Sequence, residues 1–432
     1  MTPKDTEPNG EPLDQPSVRR HALATLRHRD FRLLWLGQLV STIGDQMQGV
    51  AIAWQIFVLT DSSLHVGLVG LSRVVPFLLL SFIGGAVADI VSRKKLIMAT
   101  QSILMACSVA LVFATVSGEI TPGFIYALSV ISGAASAFDG PARQSILPNL
   151  VPKNELTNAL TLHTILRQTA TIIGPGLGGV LIGLVGLAVT YAINVATMMA
   201  VILALLLMSA VPAPKHGSSK GWDAVLGGLR YVRGEPVVLG PLLLDFVVTC
   251  LRSYRSVLPV FARDILAVGP QGLGLLHSAG SVGALAAAVG MGATGDIKHK
   301  IAIMILGYAS QGVFLAGFGL SSNFSLSLLM LFCYGIGNVV SEVMRNTIVQ
   351  LKTPDELRGR VSALGAMFTH GGPQLGQVQM GAVASLLGPI GATIIGGIGV
   401  VLACGGFALL PSMRRGMREQ NDGSPESRKD QA

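Results

Sequence analysis

The sequence predicts an all-α integral membrane protein: twelve transmembrane helices in two pseudo-symmetric six-helix bundles. Three observations predict it. Half of the 432 residues are apolar, only 12% are charged and mean hydropathy is +0.60, whereas a soluble domain carries about 25% charged residues. The apolar residues fall into runs long enough for a hydrocarbon core of about 30 Å, which needs about 20 residues per helix. Landmarks of the first half also recur, in the same order, in the second.

The elements follow in chain order. Residues 1–30 are polar and Pro-containing, without the n/h/c order of a signal peptide, and read as a cytoplasmic tail. Span 1 (31–59) ends at TDSSLHV, and span 2 (66–90) ends at Asp89 with Arg93, Lys94 and Lys95 just beyond. Span 3 (95–117) ends at SGEITPG, and span 4 (121–146) closes in FDGPARQ. Spans 5 (157–183) and 6 (187–211) are separated only by a turn near Gly186. These six form the N-terminal bundle, 31–211. A polar cytoplasmic linker, 212–235, carries a short surface helix around Trp222–Val232. Spans 7 (236–262), 8 (270–294), 9 (300–320), 10 (323–348), 11 (361–386) and 12 (389–411) form the C-terminal bundle, 236–411, with a turn near Gly388 between the last two. Residues 412–432 are a second cytoplasmic tail.

Loop charge orients these spans. The tails, Arg93–Lys95, Arg143 with Lys153, the linker, Lys298 with Lys300, and Lys352 with Arg358 and Arg360 all lie on one side. On the other side the loops lack Lys and Arg, Arg263 beside Asp264 excepted. Cytoplasmic loops are the ones enriched in cations, so both termini are expected in the cytoplasm of a bacterial-type inner membrane. The duplication shows in GAVAD at 85–89 and GATGD at 292–296, in GPGLGG at 174–179 and GPQLGQ at 372–377, and in Arg143 and Arg345, which precede related Pro–Glu–Leu loops.

Several classes are excluded. The four cysteines are isolated in apolar runs, so neither a disulfide framework nor a metal site is expected. No G-x-x-x-x-G-K-[ST] loop is present, so ATP does not drive the protein directly. No nucleophile–base pair is visible, and neither enzymatic activity nor a cofactor is expected. The net charge of +8 lies in loops, not on a nucleic-acid-binding face.

With GGAVADIVSRKK between spans 2 and 3 of a six-plus-six arrangement, residues 31–411 resemble the major facilitator superfamily. Gly85, Asp89 and Arg93 fit its loop motif, with Ser92 in place of the usual glycine. Gly174, Pro175, Gly178 and Gly179 resemble an antiporter signature and imply export, although Thr161 and Ala170 replace its upstream glycines. RDFRLLWLGQLVSTIGDQ and FDGPARQSILPNLVP look most like the drug and siderophore (enterobactin exporter-like) efflux group. The resemblance implies a cytoplasmic latch, made when the protein opens outward and broken when it opens inward: Arg93 reaching the acid at the end of span 4, where Asp139 and Arg143 lie, and Asp89 against the start of span 11, where Arg360 lies. A plain topogenic basic loop is the alternative. Gly85 is expected to permit close helix approach.

Ionisable groups within membrane spans cost about 2.5–3.5 kcal/mol each on insertion scales, so each needs a reason. Asp45 in span 1 is either a cavity carboxylate that exchanges a proton or a structural acid paired with an arginine. Arg73 in span 2 pairs with Asp45, attracts an anion or snorkels. Asp245, Thr249 and Arg252 share one face of span 7, with Arg255 just beyond. That stripe lines a cavity or packs between helices. Asp45 and Asp245 are the proton-coupling candidates; Arg73, Thr249, Arg252 and Arg255 are the substrate-cavity candidates.

The expected activity is proton-coupled antiport of a small amphipathic or anionic molecule, a siderophore preferred, by a functional monomer in the lipid bilayer. Broad multidrug efflux and lysophospholipid flipping are the alternatives.

Overall fold

The computed structural model describes residues 25–209, 232–233, 235–293 and 297–410. Both tails, nearly all of the linker with its expected helix, and Asp296 lie outside the described residues.

Helix α1 (Arg29–Thr60), α2 (Ser63–Ile90), α3 (Arg93–Ser117) and α4 (Pro122–Ile146) each cross once. Helix α5 (Leu156–Leu207) crosses twice, because Gly186 (φ 84°) reverses the chain with no loop between its arms. Helix α6 (Pro236–Leu251) continues through a turn at Tyr254–Ser256 and a short helical stretch to Ile265. Helices α7 (Gly269–Ala293), α8 (Lys300–Leu320) and α9 (Phe324–Lys352) cross once, and α10 (Asp355–Leu409) crosses twice about Gly388 (φ 77°). Both turn glycines sit in the left-handed region that an L side chain makes costly. With α6 and its continuation taken as one pass, the described residues make twelve passes and no strand. Seven helical segments are long and apolar enough on their own to cross a membrane, and two of these are the broken helices α5 and α10. Helix α6 is too short to qualify alone. Helices α1 and α4 carry many of the glutamines and serines that line the cavity between the halves.

Span 7 departs from the expected continuous helix. Pro259 has no N–H to bond the carbonyl of Arg255, so the helix cannot run through that turn. It stops at Leu251, and the Ser253 hydroxyl donates back to the Thr249 carbonyl at 2.7 Å.

The duplication is visible in the packing. In the first half α1 packs on the second arm of α5, α2 on α4, and α3 on α4. The C-terminal half repeats this with α6 on the second arm of α10, α7 on α9, and α8 on α9. Gly174 and Gly178 seat the first arm of α5 on Gln46 and Met47 of α1, as Gly372 and Gly376 seat α10 on Thr249 and Cys250 of α6. GPGLGG and GPQLGQ are therefore equivalent close-packing turns, where the missing Cβ lets two backbones meet.

The halves meet along two symmetric seams: α5 against α7, where Gly179 faces Pro270 and Gly274, and α2 against α10, where Gly67 faces Gln377 and Gly381 faces Ser63. Both seams lie toward the end remote from Arg93–Lys95. At that end Val50, Phe57 and Ile182 share one buried cluster with Val257, Phe261 and Leu276. The clusters at the basic end each belong to one half. Among the described residues the halves are thus closed together at one end only.

Candidate transport cavity

Between the halves lies a cavity of about 580 Å³. The first half supplies most of its wall, and the second contributes Arg255, His277, Gln374 and Gln377. It runs from the sealed end, where Val66, Val69 and Ile125 line it, toward the basic end, where Asp139, Arg143, His163 and Arg167 line it. Four arginines and two aspartates give the lining a formal charge of +2 with histidines neutral. No Phe, Tyr or Trp is among the described lining residues.

The residues sort by depth. Arg73 of α2 lies beside Gly133 of α4; Arg143 is ten residues further along α4, about 15 Å deeper toward the basic end at 1.5 Å per residue. Asp45 lies between these levels on α1. Its neighbour Gln46 donates to Thr171 at 3.0 Å, one turn above Arg167. The Asp45 carboxylate has no ion-pair partner within 4 Å among the described residues. Arg73 and Arg143 are the cations whose fields act on it. Arg73 therefore attracts Asp45 without closing a salt bridge.

Asp139, by contrast, is committed. It accepts from Arg143 Nε at 2.5 Å, from Thr100 at 2.8 Å and from Gln101 at 3.2 Å. In this conformation Arg93 Nη1 donates to the Ser145 carbonyl at 2.7 Å rather than to Asp139, and Lys94 donates to the Met208 carbonyl at 2.7 Å. Both cations cap the carbonyl ends of helices in their own half, where the helix dipole favours positive charge.

The reading of Gly85 is corrected. A Cβ there would meet nothing within 4 Å, whereas one at Gly84 would strike the Ala137 carbonyl of α4. One residue turns the helix by about 100°, and Gly84 is the one that faces α4. The side chains of Asp89 and Arg360 lie outside the described part of the structure.

The stripe on span 7 is also corrected: Asp245, Thr249 and Arg252 do not line the cavity. Asp245 is buried, ion-paired with Arg345 of α9, and accepts from the Tyr308 hydroxyl of α8 at 2.7 Å. Arg252 donates to the Tyr334 hydroxyl at 2.5 Å and to Thr249 at 3.3 Å. These polar groups bond one another inside the second bundle, with only Arg252 Nε and Arg345 Nε left without a partner among their buried polar atoms. Of the cavity candidates, Arg73 and Arg255 do line the space, and of the two proton candidates only Asp45 does.

Sequence reasoning missed Arg345, Tyr308 and Tyr334 as partners of the span 7 charges. The repeat held a signal for Arg345, since it recurs 202 residues after Arg143. It also missed Gln38, Gln46, Gln374 and Gln377 as cavity residues. At the sealed end Arg263 bonds Asp264 at 2.6 Å, ion-pairs with Asp61 at the end of α1, and lies 4.4 Å from the Phe57 ring centroid. That contact joins the halves. Among the described residues no group of three His, Cys, Asp or Glu could hold a metal ion.

Twelve helical passes in two like halves, around a polar cavity sealed at one end, define a multi-pass membrane transporter of the major facilitator superfamily fold. Within that class, residues 20–429 match the family described as transmembrane secretion effectors, and the chain belongs to it. It is 28% identical over 379 residues to the enterobactin exporter EntS of Citrobacter koseri, covering 87% of this chain and 90% of that one. It is 27% identical over 381 residues, with the same coverage, to the enterobactin exporter EntS of Escherichia coli O127:H6. Among solved structures it is similar to the nucleoside transporter NupG (TM-score 0.69, 16% identity, 89% of this chain and 99% of that one). It is also similar to a bacterial homologue of the lysosomal transporter Spinster in an inward-facing, unoccupied conformation (TM-score 0.67, 14% identity, 92% and 98%). The family and these relatives make the chain a transporter, not an enzyme.

Proposed function

We propose that the protein is a secondary active exporter of the bacterial inner membrane that moves a small amphipathic anion, a siderophore preferred, by alternating access. The observation that carries this reading is the cavity itself. Its lining combines a +2 charge, many amides and an apolar wall, and it is sealed at one end only. The enterobactin exporters at 26–28% identity support the siderophore preference. The lack of aromatic lining weighs against a cage for cationic drugs, which rests on cation–π contacts.

The positive-inside pattern puts the basic end, and both termini, in the cytoplasm. The cavity then faces inward, and the Arg263–Asp61 end is the external gate. GPGLGG and its counterpart serve as the packed pivots between conformations. Asp89, Arg93, Asp139, Arg143 and Arg360 remain the group proposed to latch the cytoplasmic face in the outward-open state.

Asp45 is the proposed proton site, because it alone among the acids of the lining lacks an ion-pair partner. Exchange of a proton for cargo requires that the two compete. A cargo hydroxyl donating to the Asp45 carboxylate meets that requirement, since protonation of Asp45 removes the acceptor. The oxyanion of the same molecule is left to the arginines. A monomer suffices, since both seams and the cavity lie within one chain.

The test is efflux from proteoliposomes under an imposed pH gradient. Asp45→Asn is expected to abolish gradient-driven flux of a catecholate siderophore while leaving the protein folded.

A further inference from the structure

The sealed end of the cavity brings two unpaired cations from opposite halves to one place. Arg73 comes from α2. Arg255 comes from the Tyr254–Ser256 turn, which packs directly on α2 and on α10. Both side chains are exposed to the cavity, and neither makes a hydrogen bond or ion pair with any described residue. Between them runs the α10 turn that carries Gln374 and Gln377: Gln374 touches Gly70, one turn from Arg73, and Gly376 abuts Ser253, two residues before Arg255. His277 of α7 completes the ring, and its buried Nε2 has no partner. Arg255 acts on that imidazole electrostatically.

Asp45 attracts Arg73 through space but ion-pairs with neither arginine among the described residues, so both guanidinium groups are left free to hold an anion. Arginine forks suit the planar, bidentate geometry of a carboxylate. Val66, Val69 and Ile125 lie beside this ring and offer an apolar surface to whatever carries the charge.

We propose that Arg73, Arg255, His277, Gln374 and Gln377 form an anion subsite shared between the two halves, and that it takes an aromatic carboxylate. The inference rests on the export reading and deepens it: the cargo carries an aryl carboxylate, or the equivalent oxyanion, and that group bridges the halves. Because one guanidinium comes from each half, an anion held by both ties the bundles together at this depth.

The probe is radiolabelled benzoate, with benzamide as its uncharged isostere, at equilibrium with purified protein in nanodiscs. Benzoate should bind saturably, and benzamide about tenfold more weakly or worse, the scale of one charge-assisted contact at 1.4 kcal/mol per decade. Arg73→Gln and Arg255→Gln should each weaken benzoate by a similar factor. The double variant should lose less than the product of the two, because both residues hold one anion. Lys153→Gln, which removes a cation outside the cavity, should leave binding within about twofold, the scale of a screened surface charge. Thermal unfolding of each variant confirms that it is folded.

Equal binding of benzamide, absence of saturable benzoate binding, or full affinity in either folded single variant overturns the subsite. Efflux that persists in the double variant also overturns the subsite and leaves the export reading intact. Discrimination between benzoate and benzamide without any efflux by the wild type supports the subsite and removes the export reading.

Discussion

The two halves place an Arg–Asp pair at the same junction and use it differently. Arg143 and Arg345 are 202 residues apart, as are the crossing glycines Gly133 and Gly335 and the turn glycines Gly186 and Gly388. In the first half the acid is Asp139, one turn from Arg143 on the same helix, and the pair faces the cavity. In the second half Ser341 stands at the position of Asp139, and the acid has moved to Asp245 on α6. There the pair ties α6 to α9, Tyr308 adds α8, and the cavity is excluded. One bundle keeps its charges where a substrate can meet them. The other uses them to fix its own helices. In the alternating-access reading proposed above, the C-terminal half is the more internally cross-tied of the two bundles.

The comparison can be broken most severely at the buried pair. Asp245→Asn leaves Arg345 buried and uncompensated, with side chains only 6% and 8% exposed. It should destabilise the protein by about 3–5 kcal/mol, read as a fall in melting temperature in detergent. Asp139→Asn should cost less, about 1–3 kcal/mol, since its partner lies on the same helix and borders the cavity with both side chains 13% exposed. Equal losses would end the distinction between the halves.

Next comes the seam. A side chain at Gly179 would run into the Pro270 carbonyl and Gly274. Gly179→Val should therefore oppose closure of the sealed end by about 1–3 kcal/mol. In a cysteine-free background, a single cysteine at Val69 should then be labelled faster from the outside face.

The Arg263–Asp61 contact is weaker, because Asp61 is 75% exposed. Asp61→Asn should shift the same labelling by only a fewfold, about 0–1 kcal/mol, and high salt should erase the difference.

The smallest effect belongs to Glu155 at the basic end. Burial there opposes ionisation, but the hydrogen bonds and charges of Arg27 and His28 outweigh it and hold the carboxyl below its ordinary range. A depressed carboxylate contributes stability at pH values above its unfolded-state value and loses it as pH falls through the folded one. Glu155→Gln should remove that acid-side decline in melting temperature and leave neutral-pH transport unchanged.

Much of this fold was legible in the sequence. Apolar run length placed the passes, and Gly186 and Gly388 marked the two loopless reversals. GPGLGG and GPQLGQ marked equivalent packing turns. Azimuth was not legible. A helix that is apolar nearly all round gives little periodic signal of which face meets lipid, a neighbour or water. Asp45 and Asp245 consequently read alike, yet one faces the cavity and the other a buried arginine. The same loss of azimuth exchanged Gly84 for Gly85. The partner Arg93 takes in this conformation was not legible for another reason: it is a backbone carbonyl, which carries no sequence signature. The break in span 7 was readable from Pro259, but the surrounding apolar run masked it.

The central claim is that Asp45 exchanges a proton for an anionic cargo held in this cavity. The most direct measurement is outward flux of a catecholate siderophore from proteoliposomes under a pH gradient, with wild type and Asp45→Asn reconstituted at equal density. Gradient-driven flux in the wild type and its loss in the folded variant is the predicted result; undiminished flux in Asp45→Asn would contradict it.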